Sequence, residues 1–273
     1  MIDAMGKVRV DPAVPGSVVK TYPQTDTLRF KCWDSGAYNE AVAGRLLPDI
    51  VPRTLDVWAD GSAEYVRLER LDGDRLDPVA AADDELRRVG EILGRIHSCE
   101  HFVWGSLSGR VRFMSARAAF ASRFRSAVRL LAEADPGLAA DVASWSAPRL
   151  ATARWDGRPT LVHGDYGATN VLCSGDRIRV IDWEHARWGH PLEDWAKIWF
   201  SIRFPEPNGF STDSRRIRLI EQGWQDITGR PPPRNPTLTD LLNAYFAICL
   251  GVFFSHRDPN HRLEWLRSRV RPP

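Results

Sequence analysis

The chain has 273 residues, of which 43% are apolar and 26% are charged, and its formal net charge at pH 7 is +2. This composition is ordinary for a globular protein with a sizeable core, and no segment approaches the roughly 18 uninterrupted apolar residues of a membrane-spanning helix. Because the N-terminus also lacks a signal-peptide core, we expect a cytoplasmic protein without a membrane partner. The four scattered cysteines suggest neither a zinc site nor a disulfide framework.

The N-terminal part of the chain predicts strands around one helix. Residues 17–22 form a β-type run that contains Lys20, and the alanine- and leucine-rich residues 37–47 predict a helix that carries Glu40. Two more strands are predicted at residues 51–58 and 63–69, on either side of a turn.

Helical patterns follow. Apolar residues at helical spacing predict a buried helix face made of Leu86, Val89, Leu93 and Ile96. Asp83 or Asp84 is expected to cap that helix. Further helices are predicted at residues 116–134, around Trp145, at 214–227 and at 237–254.

The most informative segment is residues 163–170, with the sequence His-Gly-Asp-Tyr-Gly-Ala-Thr-Asn. A short β-type run at 160–162 leads into it, and a hairpin is predicted over residues 170–181. The second arm of that hairpin carries the sequence Ile-Asp-Trp-Glu back toward the loop. The hairpin is therefore expected to bring three polar side chains close together: Asp165, Asn170 and Asp182.

These three side chains suit phosphoryl transfer. The reaction needs an acceptor in the correct ionisation state and a divalent metal that offsets charge on the phosphate oxygens. Asp165 can orient a substrate hydroxyl and take its proton, while the oxygens of Asn170 and Asp182 suit a hard ion such as Mg²⁺.

The same segments resemble the catalytic and metal-binding segments of the aminoglycoside phosphotransferase and choline kinase superfamily, small-molecule relatives of the protein kinases. Residues 189–196, with the sequence Gly-His-Pro-Leu-Glu-Asp-Trp-Ala, are similar to another segment of that family, with Trp195 in place of leucine. The resemblance implies that Asp194 braces the catalytic loop through its backbone amides. It also implies a structural rather than proton-transferring role for His163.

The resemblance further implies an α+β, two-lobed protein-kinase-like fold. A small β-rich N-lobe would span residues 1–71, with an interlobe hinge near 68–73, and a larger, mainly helical C-lobe would span 72–273. The N-lobe is expected to be trimmed, because no glycine-rich pattern that could cover phosphates precedes Lys20.

Nucleotide-binding residues are also implied by the resemblance. Lys20, paired with Glu40, would contact the phosphates of ATP or GTP, although Lys31 lies in another strand-like run and is a competitor for the same role. Backbone groups of Glu69 and Leu71 would hold the purine at the hinge. Each lysine could instead be a solvated charge at a strand edge, and the hinge an ordinary strand end.

Charge gives some information about the acceptor. Residues 195–273 contain twelve Lys and Arg against seven Asp and Glu, and residues 101–160 contain nine Arg against four Asp and Glu. A site for a polycationic aminoglycoside would be expected to gather carboxylates instead. We therefore expect a neutral or weakly charged hydroxyl compound, such as an antibiotic or related natural product, with aminoglycosides, choline or ethanolamine, and sugars as alternatives. Trp188 is a candidate to line that acceptor site.

Other classes of function fit less well. The arginines are dispersed among acidic residues, which argues against a nucleic-acid partner. A catalytically silent, kinase-like protein that binds a nucleotide or partner is the alternative to the enzyme. The presence of Asp165, Asn170 and Asp182 together favours the enzyme, a phosphotransferase acting on an alcohol group.

Overall fold

The computed structural model of the chain describes residues 8–10, 14–23, 33–204, 214–253 and 260–271. Its N-terminal part is one antiparallel sheet of four strands in the order β1-β2-β4-β3. The strands are β1 (Val8–Val10), β2 (Ser17–Pro23), β3 (Thr54–Ala59) and β4 (Ala63–Glu69). The predicted pairing of the last two strands is confirmed.

Helix α1 (Gly36–Leu46) packs against this sheet. Its N-terminus is capped by the Ser35 hydroxyl, which accepts a hydrogen bond from the amide of Tyr38 at 3.2 Å. Small side chains let the helix approach the sheet closely, and the shared apolar core is made of Tyr22, Ala37, Val66 and Leu68. This packing fixes Glu40, which is fully buried on α1, beneath the sheet.

The rest of the described chain is mainly helical and surrounds the large hydrophobic core. The helices are α2 (Asp83–His97), α3 (Ala116–Ala134), α4 (Pro136–Thr152), α5 (Leu192–Arg203), α6 (Ser214–Thr228), α7 (Pro236–Phe253) and α8 (Asn260–Val270). None of the helices in the described ranges combines the length and the apolar character needed to cross a membrane.

Helices α2 and α6 approach each other to backbone contact. A Cβ atom on Gly90 would lie 1.9 Å from the carbonyl oxygen of Ile220, and one on Gly223 would lie 1.9 Å from that of Arg87. Glycine at both positions is therefore a condition of this packing. The contact matters for function because α2 also carries His97, described below.

Two small sheets hold the loops of the site. One has the strand order β10-β9-β5 and the other β7-β6-β11-β8. The strands are β5 (Asp74–Arg75), β6 (Trp104–Gly105), β7 (Arg112–Phe113), β8 (Thr160–Val162), β9 (Val171–Ser174), β10 (Arg177–Val180) and β11 (Arg187–Gly189). The predicted hairpin after Asn170 is confirmed as β9 and β10.

Most predicted helices are present, with bounds within a few residues of the expectation. The capping prediction for α2 is wrong: its N-cap is Ala82, which makes no side-chain capping bond. Asp83, Asp84 and Glu85 instead lie in the first turn, where their carboxylates favour the positive end of the helix dipole. Lys31 lies outside the described residues.

Candidate active site

The loop that follows β8 is held by the carboxylate of Asp194 on α5. The backbone amides of His163 and Gly164 donate to its two oxygens at 2.9 and 2.8 Å. The predicted bracing of this loop is therefore confirmed. Gly164 has a φ of +83°, and a Cβ there would lie 2.3 Å from Nη1 of Arg187, so the loop requires glycine at this position.

Asp194 is in turn held by His97 from α2. The indole N–H of Trp224 donates to Nδ1 of His97 at 3.0 Å, so Nε2 carries the ring proton and donates to Asp194 at 3.0 Å. Burial alone would raise the pKa of the Asp194 carboxyl, but the hydrogen bonds from His97 and the His163 amide lower it below its usual range. Asp194 is thus held as a carboxylate.

Both ring nitrogens of His163 are used within the loop. Its Nδ1 accepts from the Asp165 amide at 3.2 Å, and its Nε2 donates to the carbonyl oxygen of Ile181 at 2.9 Å. The ring therefore joins the loop to the strand that precedes Asp182. This arrangement agrees with the structural role expected for His163.

Asp165 lies at the centre of the loop with its side chain 38% exposed. Its Oδ1 is 2.9 Å from Nζ of Lys197, a buried residue of α5. Asn170 donates through Nδ2 to the carbonyl oxygen of Asp165 at 2.9 Å, and the same nitrogen is 3.4 Å from Oδ2. The predicted proximity of Asp165 and Asn170 is confirmed.

Asp182 has a φ of +70°, and it is the one non-glycine residue with positive φ in the described part of the chain. Such left-handed backbone is strained for a side-chain-bearing residue and is often found at functional sites. Its Oδ1 lies 2.9 Å from Nζ of Lys20, although the carboxylate remains 42% exposed. The turn thereby presents Asp182 toward both the sheet and the solvent.

Lys20 and Glu40 form the predicted ion pair, with Nζ and Oε1 2.5 Å apart. Tyr22 adds a hydroxyl bond to the same Oε1 at 3.0 Å. Burial alone would lower the pKa of the Lys20 ammonium, but the carboxylates of Asp182 and Glu40 raise it. Burial would likewise raise the pKa of Asp182, yet Lys20 lowers it, so both groups are charged.

The oxygens of Asn170 and Asp182 fit a magnesium ion. Asn170 donates through its amide nitrogen, which leaves its carbonyl oxygen for another partner. The lowered pKa of Asp182 keeps its carboxylate ionised. Mg²⁺ commonly takes one or two such protein oxygens together with substrate phosphates and water. Among the described residues, no group of three His, Cys, Asp or Glu side chains could hold a metal ion.

The predicted hinge follows β4. The Glu69 carboxylate accepts from the Arg53 amide at 2.9 Å and from Arg179 of β10 at 2.5 Å, so its side chain ties the N-terminal sheet to the hairpin. Gly73 leaves the hinge with a φ of +142°, where a Cβ would meet the Cys173 carbonyl oxygen at 2.6 Å. No described backbone group is bonded to the amide of Leu71.

A buried charge cluster lies behind the loop. Glu193 on α5 accepts hydrogen bonds from Arg187 and Arg123, and the guanidinium of Arg123 lies 4.7 Å from the ring centroid of Tyr245. Burial alone would raise the pKa of Glu193, but the two arginines lower it to about 2. The cluster joins β11, α3 and α5 beneath the site.

Trp188 does not have the open position expected of an acceptor platform. It is 7% exposed and stacks on His101 with the ring centroids 4.5 Å apart. Tryptophan is large and apolar, so the sequence pattern alone cannot separate core packing from ligand contact.

Sequence reasoning missed Lys197, which contacts Asp165, and His97, which holds Asp194. Both contacts join residues more than thirty positions apart, so no local pattern reveals them. The scarcity of lysine was a usable signal, because the chain has four lysines against 33 arginines. Two of those four contact the two aspartates of the site.

The chain is similar to known proteins in sequence and in fold. Residues 36–228 match the model of the phosphotransferase enzyme family. A 47-residue segment is 47% identical to protein StrN of Streptomyces griseus, a match that covers 17% of this chain and 14% of StrN.

Solved structures show the same fold at low sequence identity. A candidate fructosamine-3-kinase from Haemophilus somnus 129PT has a TM-score of 0.66 and 15% identity, over 93% of this chain and 82% of that one. The spectinomycin phosphotransferase APH(9)-Ia, in complex with ADP and spectinomycin, has a TM-score of 0.53 and 15% identity, over 92% and 80%. The predicted kinase-like fold class is therefore confirmed.

Proposed function

The chain belongs to the phosphotransferase enzyme family, and from that premise we propose that it transfers the γ-phosphoryl group of ATP or GTP to a hydroxyl group of a small molecule. The observation that carries this proposal is the placement of Asp165, Asn170 and Asp182 on adjoining turns. Each aspartate lies 2.9 Å from the ammonium of a different buried lysine. Charge neutralisation and positioning are the main requirements of phosphoryl transfer.

Asp165 is the proposed base. It would accept a hydrogen bond from the acceptor hydroxyl and take its proton as the new bond to phosphorus forms. The short bonds around the loop support this role, because Asp194 and His163 fix the backbone on which Asp165 stands. A fixed carboxylate avoids the entropy loss of ordering it at the moment of reaction.

Asn170 and Asp182 are the proposed magnesium ligands, through the carbonyl oxygen of one and the carboxylate of the other. The ion would supply positive charge to the phosphate oxygens of the donor. Lys20 would contact the same phosphates, with its ammonium held by Glu40, whose carboxylate also accepts a hydrogen bond from the Tyr22 hydroxyl. The purine would lie at the hinge, on backbone groups of Glu69 and Leu71.

The acceptor is proposed to be neutral or weakly charged. Lys197 places a buried ammonium directly beside the proposed base, and two arginines share the single carboxylate of Glu193 behind it. A polycationic acceptor would meet repulsion there, whereas a neutral antibiotic, sugar or related natural product would not.

The proposal is tested by mass spectrometry of a mixed panel of hydroxyl compounds incubated with Mg²⁺ and ATP or GTP. The panel contains nucleoside antibiotics, aminoglycosides, sugars and choline, and Asp165→Asn is run as the matched control. We expect one compound to gain a single phosphoryl unit with the wild-type protein and far more slowly with the variant.

Two results would contradict the proposal. A protein that binds the nucleotide but yields no product and no ADP would support a silent kinase-like protein instead. Preferred phosphorylation of a polycationic aminoglycoside, judged by kcat/KM, would overturn the acceptor class while leaving the phosphotransferase function intact.

A further inference from the structure

Lys197 contacts the proposed base although the transfer described above gives it no task. Its Nζ lies 2.9 Å from Oδ1 of Asp165, and the residue is 8% exposed. The same nitrogen lies 5.9 Å from the ring centroid of Phe246 on α7. We propose that Lys197 is a positioning residue, which holds the Asp165 carboxylate in the orientation that receives the acceptor hydroxyl. This inference rests on the phosphotransferase function proposed above.

The backbone of α5 near Lys197 is held in place because two residues of its first turn, Asp194 and Glu193, are each bonded to neighbouring segments. Asp194 accepts two backbone amides of the loop, and Glu193 accepts hydrogen bonds from two buried arginines. Lys197 follows Glu193 by one helical turn, so both side chains leave the same face of α5. One helix therefore fixes the backbone of the loop through Asp194 and the side chain of Asp165 through Lys197.

The two oxygens of Asp165 are not equivalent. Nζ of Lys197 lies 2.9 Å from Oδ1, whereas Nδ2 of Asn170 lies at the longer distance of 3.4 Å from Oδ2. Oδ2 is therefore the oxygen assigned to the acceptor. In the step, the acceptor proton moves to Oδ2 and a bond forms between the acceptor oxygen and the γ-phosphorus. The bond from that phosphorus to the β–γ bridging oxygen breaks, and the nucleoside diphosphate leaves.

Burial gives the contact its strength. The ammonium of Lys197 is largely removed from water, and separating a buried charge from its partner is unfavourable. Asp165 itself is 38% exposed and would otherwise be able to reorient toward solvent. The pair therefore holds the carboxylate from its buried side and leaves its exposed side for the substrate.

The test is a kinetic double-variant cycle measured by ADP formation, which reports transfer to any acceptor in the panel, water included. Lys197→Met is expected to lower kcat about 10- to 100-fold, with KM for ATP within about twofold of wild type. In the Asp165→Asn background the same substitution should change kcat by less than about twofold, because Lys197 acts through Asp165.

A second variant separates positioning from a merely structural role. Lys197→Gln keeps a hydrogen-bond donor but no charge, so its kcat should lie between wild type and Lys197→Met. Arg87→Met, which removes an exposed ion pair to Asp226, is the control and should leave both constants unchanged. Two measurements report whether each variant is folded. They are its melting temperature and its dissociation constant for the Mg²⁺ complex of a non-hydrolysable ATP analogue.

Three results would overturn the inference: a Lys197→Met protein with wild-type kcat, an equal loss in the Asp165→Asn background, or a raised KM for ATP in place of a lowered kcat. Should Lys197→Met fail to fold, Lys197→Gln is measured in both backgrounds against the same criteria. A wild-type protein that forms no ADP at all would contradict the proposed function, and the inference with it. An active wild type with an equally active Lys197→Met would contradict the inference alone.

Discussion

The two lysines that contact the site aspartates differ in the charges around them. Lys20 and Lys197 are each 8% exposed, and each lies 2.9 Å from its aspartate. Lys20, however, stands between two carboxylates, those of Glu40 and Asp182. On the other side, Lys197 pairs with Asp165 near two arginines that share one carboxylate.

We infer from this difference that the nucleotide and the acceptor meet different charges in the proposed site. An excess of carboxylate around Lys20 suits the proposed binding of a divalent cation together with the phosphates of the donor. The buried ammonium of Lys197 directly beside Asp165 suits an acceptor that is not itself a polycation. The predictions that follow separate the nucleotide side from the acceptor side, in order of decreasing expected effect.

The largest effect is expected on the nucleotide side. Asp182→Ala removes a proposed magnesium ligand and the partner of Lys20, so kcat should fall on the order of 10⁴-fold. The measurement is ADP formation at saturating ATP over a range of Mg²⁺ concentrations. Turnover close to wild type at low Mg²⁺ concentration would exclude Asp182 from the metal site.

Asp165→Asn should lower kcat about 10³-fold while leaving nucleotide affinity unchanged, because it removes the proposed base but not a phosphate contact. Isothermal titration with a non-hydrolysable ATP analogue checks the affinity, and mass spectrometry checks the turnover. The same change leaves the buried ammonium of Lys197 without its charged partner, so a lower melting temperature is also expected. A variant with full turnover would contradict the role of Asp165.

How much of this site the sequence predicts depends on how far apart along the chain the contacting residues lie. Asp165, Asn170 and Asp182 lie on two turns joined by one hairpin, and their proximity follows from the strand pattern. The braced loop followed from a family resemblance in the segment that contains Asp194.

Other features depend on packing between distant segments. Lys197 contacts Asp165 because α5 packs against the loop, and His97 is bonded to Asp194 of α5 on one side and to Trp224 of α6 on the other. The identity of one residue does not indicate which distant residue its side chain will contact. The pairing of Lys20 with Glu40 lies between these cases, because a strand followed by a helix leaves few possible partners.

Acid should destabilise the acceptor side through Glu193. Because Arg187 and Arg123 lower the pKa of Glu193 to about 2, its stabilising contribution is present above the usual glutamate pKa of about 4.3 and is lost as pH falls toward 2. Glu193→Gln should therefore lower the free energy of unfolding at pH 7 by about 3 kcal/mol. Urea unfolding at pH 7 and pH 3 checks this, and the variant should lose less stability between them than wild type. Equal losses would contradict the assignment.

The smallest effect is a pH dependence from His190. Burial lowers the pKa of this ring, whose Nε2 donates to the Asp156 carbonyl oxygen while Nδ1 accepts from the Leu192 amide. The unfolded chain therefore binds the proton more readily, and stability falls as pH drops below about 6.5. The slope is at most about 1.4 kcal/mol per pH unit. His190→Gln should flatten the decline in melting temperature between pH 7.5 and 5.5, and an unchanged slope would exclude His190 as its source.

The central claim is that Lys20 serves nucleotide binding and Lys197 serves turnover. It is tested most directly by comparing Lys20→Met with Lys197→Met in one pair of measurements. The first is the dissociation constant of each variant for the Mg²⁺ complex of a non-hydrolysable ATP analogue, and the second is kcat for ADP formation. We predict that Lys20→Met weakens nucleotide binding about tenfold or more, whereas Lys197→Met leaves binding unchanged and lowers kcat. If both variants weakened nucleotide binding equally, or neither lowered kcat, the two sides of the site would not be functionally distinct.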